Sequence, residues 1–234
     1  MEESDNSQPL ICSWFQKLQT DLALLAAAEP LGPFPMSHGE LLAEVLYDCA
    51  NELFAAGLLA THLRRFGRDS DPLGHFWTRC EWCKFDISYG RAANRFDDWN
   101  KAWNRGETGD IGCLELKLLY SHFPTSATTD RVEELKRQML ERQTSTNGRC
   151  RLSARSDTSK PYRYDGLILF VGDDFSDNRT VCERTIQSAQ LASLFPATGW
   201  TELVCLSADQ IQSLFPRSDI MNSWKIHAKL VTLR

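Results

Sequence analysis

The fold is decided by Asp110-Ile111-Gly112-Cys113-Leu114-Glu115-Leu116-Lys117-Leu118-Leu119, a run of ten residues. Apolar residues alternate here with a glutamate and a lysine, and a period of two is typical of a β-strand with two different faces. Glu115 and Lys117 are therefore predicted to emerge on one face of the strand. The leucines beside and between them are predicted to lie on the other face.

A second strand with an acid is predicted just upstream, at residues 81–89. When it pairs with the strand predicted at residues 111–120, Asp86 joins Glu115 and Lys117 on one face of a sheet. Two carboxylates beside an ammonium group suit a hard cation such as Mg²⁺ and the hydrolysis of a phosphodiester. The alternative interpretation is that Glu115 and Lys117 form an ordinary ion pair on a half-exposed strand.

Further elements are predicted on both sides of these strands, mainly from the spacing of apolar residues. Helices are expected at 10–28, from 37 to a stop or kink at Gly57, and at 128–143, 181–195 and 208–215. Further strands are expected at 167–171, 202–206 and 225–233, and loops at 90–109 and 144–161. Strands separated by helices predict an α/β fold with a mixed central sheet flanked by helices.

Composition limits the class of protein. Hydrophobic residues make up 42% of the 234 residues, enough for a full core, and no apolar run reaches the roughly eighteen residues of a membrane helix. The first five residues are acidic where a secretory signal is basic, so we expect a cytoplasmic location and reduced cysteines. Cys80 and Cys83 have the spacing of half a metal site, but no second pair follows, so two buried thiols are the alternative.

The charge distribution bears on a nucleic-acid partner. A formal net charge of -5 argues against binding by bulk charge alone. Basic residues are nevertheless clustered, because residues 130–163 contain nine Lys and Arg against five Asp and Glu. This segment predicts either a basic face for nucleic acid or a solvated charged surface.

The two strands and the elements predicted around them resemble the PD-(D/E)XK nuclease superfamily, whose fold is called restriction-endonuclease-like. In that family a helix precedes a strand bearing an Asp, a second strand bears Glu-x-Lys, and a helix and another strand follow. Here Lys84-Phe85-Asp86-Ile87 stands where the family has Pro-Asp, and Leu114-Glu115-Leu116-Lys117 matches the second half. The resemblance covers residues 37–175, with Phe85 in place of the proline.

The resemblance implies a nuclease that hydrolyses DNA with Mg²⁺ or Mn²⁺ as cofactor. Asp86 and Glu115 are implied to be the metal ligands, and Asp86, Glu115 and Lys117 to be the catalytic residues. Lys117 would position the attacking water or stabilise the charge that develops on phosphorus.

Additional site residues are implied by the same resemblance. Glu44 is the candidate for a further acid from the early helix, with a solvated helix acid as its alternative. Gln138, on the helix after Glu-x-Lys, is a candidate to reach the site or a phosphate. Because a long segment separates the two strands, Asp98 or Asp110 is the alternative to Asp86 as the first acid.

One domain is expected, with a restriction-endonuclease-like core, N-terminal helices and a C-terminal α/β extension. Residues 1–36 form an N-terminal helix and linker packed on the core, 37–175 the core, and 176–234 the extension. The expected partner is nucleic acid, without a membrane, and target choice comes from the chain's own loops or from a protein partner. Host defence against foreign DNA is the setting suggested by fold-level analogy.

Two other classes of protein remain open at this point. One is a nuclease-like scaffold that has lost activity and serves as an interaction subunit, which the acidic net charge and the missing proline favour. The other is a small α/β interaction protein unrelated to nucleases, in which Glu115 and Lys117 pair across a surface.

Overall fold

A computed structural model describes residues 10–27, 52–70, 75–82, 85–92, 111–144, 163–172, 176–195, 200–207, 209–210, 212 and 224–233. Its helices in these ranges are α1 (Leu10–Ala27), α2 (Glu52–Ser70), α3 (Thr125–Thr144) and α4 (Ser176–Ser188). Its strands are β1 (His75–Trp82), β2 (Phe85–Ala92), β3 (Ile111–Tyr120), β4 (Arg163–Gly172), β5 (Leu191–Phe195), β6 (Thr201–Leu206) and β7 (Trp224–Leu233). Within the described residues, no helix combines the length and apolar character that spanning a membrane requires.

The strands form one seven-stranded sheet in the order β1-β2-β3-β4-β7-β5, and β6 also pairs with β7. β3 and β4 are parallel and connected through α3. The other neighbouring strands are antiparallel. The predicted α/β class, with a mixed sheet flanked by helices, is therefore confirmed.

Each face of the sheet is covered by helices and has its own hydrophobic core. Leu114, Leu116 and Leu118 of β3 lie in the core that includes residues of α1 and α2. Leu119 lies in the other core, together with residues of α3 and α4 such as Leu135 and Ile186. The alternation predicted for β3 is thus confirmed, and its odd-numbered residues face α3.

The strand predicted at residues 81–89 is wrong in its extent, because two strands occupy this region. Trp82 pairs with Phe85, so β1 and β2 form a tight antiparallel hairpin. Apolar and polar residues alternate on both sides of the reversal, and the pattern alone therefore contains no break. Asp86 lies near the start of β2, and β2 extends to Ala92, into the predicted loop.

The expectation that Gly57 ends or kinks a helix is also wrong. α2 continues through Gly57 to Ser70, and Thr61 donates a hydrogen bond of 2.9 Å to the Gly57 carbonyl. Ala55, Ala56 and other small or apolar residues of α2 are buried against the sheet. Packing of this face outweighs the helix penalty of one glycine, about 1 kcal/mol. The predicted start of this helix, at 37–51, lies outside the described residues.

The helix predicted at residues 181–195 is wrong in its second half. α4 ends at Ser188, Gln190 has a left-handed φ of 57°, and β5 begins at Leu191. A left-handed residue after the last turn is a common way to end a helix. The apolar residues that follow are buried by pairing with β7 instead. The strands predicted at 202–206 and 225–233 are confirmed as β6 and β7.

Candidate active site

The candidate site lies where β2 and β3 stop pairing. Their antiparallel pairs run from Gly90 and Ile111 to Ile87 and Leu114. β3 continues beyond this point to Tyr120 while it remains paired with β4. Backbone amides of β3 on the β2 side therefore need other acceptors, since buried N–H groups are almost always satisfied. Acidic side chains provide those acceptors.

Asp86 is the first of these acids. Its Oδ2 accepts a hydrogen bond of 2.6 Å from the backbone N–H of Leu116. Asp86 lies one step beyond the last pair of β2 and β3, which places it opposite Glu115. Ser88, two residues along the strand, contacts Cys113 with its Oγ 3.9 Å from Sγ. Because side chains alternate, Asp86 shares the face of Glu115.

Glu115 and Lys117 emerge on this face and are buried, with 2% and 3% of their surfaces exposed. Helix α3 packs closely over them, because a Cβ atom at the neighbouring residue Gly166 would lie 3.0 Å from Leu135 of α3. The interpretation of Glu115 and Lys117 as an ion pair on a half-exposed strand is therefore wrong. They are an acid and a base held inside the protein.

Glu52, the first residue of α2, was not predicted as a site residue. Its Oε1 accepts a hydrogen bond of 3.2 Å from the backbone N–H of Leu118 and lies 3.3 Å from Nη1 of Arg131. Its Oε2 lies 3.6 Å from Nζ of Lys117. One carboxylate thus connects α2, β3 and α3. These contacts lie where β3 continues without β2 as a partner, beyond Leu114, and this place is called the opening between β2 and β3.

No signal in the sequence distinguishes Glu52. The helix that carries it was expected to begin at residue 37, so the acid sought from this helix was Glu44, which lies outside the described residues. The contact of Glu52 with β3 also joins residues 66 positions apart.

Cys113 is a buried thiol close to two of the acids of this part of the sheet, Glu115 and Asp165. Burial raises the pKa of its thiol to about 12, and the negative charges of Glu115 and Asp165 raise it further, against a hydrogen bond from Ser88. The thiol therefore stays protonated and does not act as a thiolate ligand. Asp165 pairs with Leu114 in the parallel register, so it lies on the face opposite to Glu115.

The remaining predicted site residues fall into two groups. Gln138 lies on α3 about two turns from Arg131 and on the same side of the helix. It is partly buried, and its Oε1 accepts no hydrogen bond from the described part of the chain. Glu44, Asp98 and Asp110 lie outside the described residues, as does Cys83.

Asp86 and Glu115 are the two acids on this face whose carboxylates could hold a divalent cation. Among the described residues, no group of three or more His, Cys, Asp or Glu side chains is placed to hold a metal ion. Asp86 and Glu115 still offer hard oxygen ligands from one face, and Mg²⁺ is commonly held by one or two carboxylates with water and phosphate completing its shell. A buried carboxylate such as that of Glu115 is also stabilised by positive charge nearby.

Fold and site together define an α/β protein with a buried acid-and-lysine site at an opening in a mixed sheet. Comparisons with known proteins gave no match, whether with protein-family models, with curated proteins or with solved structures. What the site does chemically has to follow from its own geometry.

Proposed function

We propose that this chain is a divalent-cation-dependent nuclease that hydrolyses phosphodiester bonds of DNA. The observation that carries the proposal is the placement of Asp86, Glu115 and Lys117 on one face at the opening between β2 and β3. Acids that bind a cation and a base that stabilises negative charge are the groups that phosphate hydrolysis requires.

The order of the elements supports a restriction-endonuclease-like core. α2, β1, β2, β3, α3 and β4 follow one another in the chain, and the four strands lie in that order in the sheet. A helix thus precedes the strand with Asp86, a second strand bears Glu115 and Lys117, and a helix and a strand follow. This is the order that the resemblance to the PD-(D/E)XK superfamily implies, with β1 as a partner of β2.

Each residue has a distinct task in the proposed reaction. Asp86 and Glu115 would hold Mg²⁺ or Mn²⁺, and the ion would supply the acidity of a bound water and the polarisation of a phosphate oxygen. Lys117 places a positive charge where negative charge develops on the phosphate. Glu52 orients Lys117 through their 3.6 Å contact. Burial of Lys117 strengthens its electrostatic effect, because little water screens it.

The test is cleavage of supercoiled plasmid and of end-labelled single-stranded DNA in Mg²⁺ or Mn²⁺, with a chelator as the blank. We expect Lys117→Met, which keeps the volume of the side chain, to lower the rate about a hundredfold or more. Lys225→Met is the matched control, because Lys225 is also a strand lysine paired with a glutamate, Glu202, at 2.7 Å. Circular dichroism confirms that both variants fold.

Three results decide the matter. Cleavage by the wild type and by Lys225→Met, but not by Lys117→Met, supports the proposal. Equal cleavage by all three proteins indicates a contaminating nuclease and defeats it. Absence of cleavage by the folded wild type in either metal also defeats it and favours the second candidate below.

The second candidate is a nuclease-like scaffold without activity that serves as an interaction subunit. A specific observation favours it: Asp86 and Glu52 accept hydrogen bonds from backbone amides of β3, so both acids have a structural task. In a scaffold, Asp86→Asn and Glu52→Gln change stability alone. In the nuclease, Asp86→Asn also abolishes cleavage.

A further inference from the structure

We propose that Arg131 binds the phosphate group of the substrate at the entrance of the site, an inference that rests on the proposed function. Arg131 lies in the second turn of α3, after the crossover from β3. It was not singled out by the sequence pattern, where it is one of many bases between residues 130 and 163. Its contacts, exposure and charge environment separate it from the others.

The guanidinium of Arg131 lies beside the reacting groups. Its Nη1 is 3.3 Å from Oε1 of Glu52, while Nζ of Lys117 is 3.6 Å from Oε2 of the same carboxylate. The two cations therefore flank a single carboxylate. A phosphate oxygen that approaches Lys117 comes within reach of Arg131 as well.

Exposure indicates which of the two cations a substrate meets first. Lys117 is almost fully buried, whereas 42% of the Arg131 side chain is exposed. Glu52, between them, has an intermediate exposure of 27%. This gradient defines the entrance of the site at Arg131 and its interior at Lys117.

Arg131 keeps donors for a ligand. A guanidinium has five N–H donors in a planar fork that matches phosphate. Within the described residues, the guanidinium of Arg131 makes one hydrogen bond, from Nη1 to Oε1 of Glu52. Arg137, on the same helix, is instead engaged by glutamates on both sides, Glu134 and Glu141.

The balance of charge makes phosphate binding depend on both the cation and Arg131. Among the residues that the structure describes, those with charged side chains at the opening are three acids and two bases: Asp86, Glu115, Glu52, Lys117 and Arg131. Three negative and two positive formal charges leave the site at -1, which repels a phosphodiester. A bound divalent cation would bring this formal charge to +1, and removal of Arg131 would then lower it to zero.

The experiment measures binding of a short fluorescein-labelled DNA oligonucleotide to the full chain by fluorescence anisotropy. Titrations are made in Ca²⁺ and in chelator, over a range of KCl concentrations, and a gel confirms that the oligonucleotide stays intact. We expect Arg131→Ala to weaken Ca²⁺-dependent binding about tenfold, the effect of losing a charged hydrogen bond. The slope of log affinity against log salt should fall by about one, which a purely structural role would not cause.

Matched variants complete the test. Arg131→Lys should restore the salt slope but not the full affinity, because lysine lacks the planar fork. Arg137→Ala should stay within about twofold of wild type, because its charge is exposed and screened. If Arg131→Ala binds with the affinity and salt slope of Arg137→Ala, the inference is overturned.

Failure of this inference and failure of the proposed function give different results. If the wild type cleaves DNA in Mg²⁺ but Arg131→Ala keeps both kcat and KM, the inference fails and the nuclease stands. If the wild type binds DNA through Arg131 but does not cleave it, the inference stands and hydrolysis fails. Cation-independent binding, or no binding by folded wild type, overturns the inference directly.

Discussion

A single side chain, Glu52, holds together the charged groups of the site. Within the described residues, Glu52 is the ion-pair partner of Lys117, whose ammonium is otherwise removed from water. It also accepts the backbone N–H of Leu118, which β2 no longer satisfies. Loss of its charge would leave a buried cation without a counter-charge, and breaking a buried pair in this way usually costs more than the pair itself contributes.

We expect Glu52→Gln to lower the free energy of unfolding by about 3 kcal/mol, measured by urea denaturation. The amide oxygen still accepts the Leu118 hydrogen bond, so the loss reflects the charge. Glu141→Gln is the control: Glu141 pairs with Arg137 at 2.6 Å but is 50% exposed. The cost there should stay below about 0.5 kcal/mol. Similar losses for the two variants would show that Glu52 does not stabilise buried charge.

At the scale of elements, α2 positions the site because it is fastened to the hairpin of β1 and β2. Arg64 donates to Thr78 through Nε, at 3.0 Å from Oγ1, and through Nη2, at 2.8 Å from the carbonyl oxygen. Thr78 in turn donates to the Ala60 carbonyl at 3.1 Å. At Gly67 the helix approaches β1 so closely that a Cβ atom would overlap the ring of Phe76. Glu52, at the N-terminal end of the same helix, accepts the hydrogen bond from Leu118 of β3.

Two glycines of α2 should therefore respond in opposite directions to alanine. Gly57→Ala places a methyl group in open space and should raise the free energy of unfolding by about 1 kcal/mol, the difference in helix propensity. Gly67→Ala forces the helix away from Phe76 and should lower it by about 2 kcal/mol. Chemical denaturation of both variants measures this. A stabilising Gly67→Ala would mean that α2 and β1 are not packed this closely.

At the scale of the whole molecule, α1 joins the N-terminal part of the chain to its C-terminal strands. It packs against α2 and against β6 through residues such as Trp14 and Phe15, which are fully buried. Trp14 donates from Nε1 to Nδ1 of His62 at 3.0 Å, and Nε2 of His62 lies 3.0 Å from Oδ2 of Asp21. Because Nδ1 accepts, the proton of neutral His62 is on Nε2 and is donated to Asp21.

Lowering the pH should weaken the contribution of His62 to the free energy of unfolding. Burial lowers the pKa of His62 below its ordinary value of 6.5, although the Asp21 carboxylate raises it. The unfolded chain then takes up this proton at a higher pH than the folded chain. The contribution of His62 to stability is therefore complete above about pH 6.5 and declines as the pH falls toward the folded pKa. Burial lowers the pKa of His227 too, which adds a decline of the same sign.

The measurement is the free energy of unfolding from pH 7.5 to pH 5 for the wild type and His62→Gln. Glutamine can accept from Trp14 and donate to Asp21 without titrating, so the variant should lose less stability over this interval. Asp21 does not obscure the result. Burial raises the pKa of its carboxyl, but hydrogen bonds from Lys17 and His62 outweigh this and hold the pKa below its ordinary value of 3.8. An unchanged slope in His62→Gln would refute the role of His62.

Local patterns in the sequence were sufficient for some elements and not for others. The two faces of β3 follow from the alternation around Glu115, because adjacent side chains of an extended chain must point in opposite directions. The end of α4 at Ser188 was missed, because the residues after Gln190 are buried by a partner strand and not by helical periodicity. The hairpin between Trp82 and Phe85 was missed for a similar reason, since its pattern is continuous across the turn.

By itself, the sequence determined the α/β class, the faces of β3, and the candidate pair of Glu115 and Lys117 with Asp86 upstream. Only the tertiary structure decided that Glu115 and Lys117 are buried and that the pairing of β2 with β3 ends next to them. It also decided that Glu52 and Arg131 lie beside Lys117. The physical reason is the separation along the sequence of the residues that interact. Alternation and helical periodicity depend on neighbouring residues, whereas Glu52 meets Leu118 across 66 positions and Arg131 across 79, and such contacts exist only once the sheet and helices have packed.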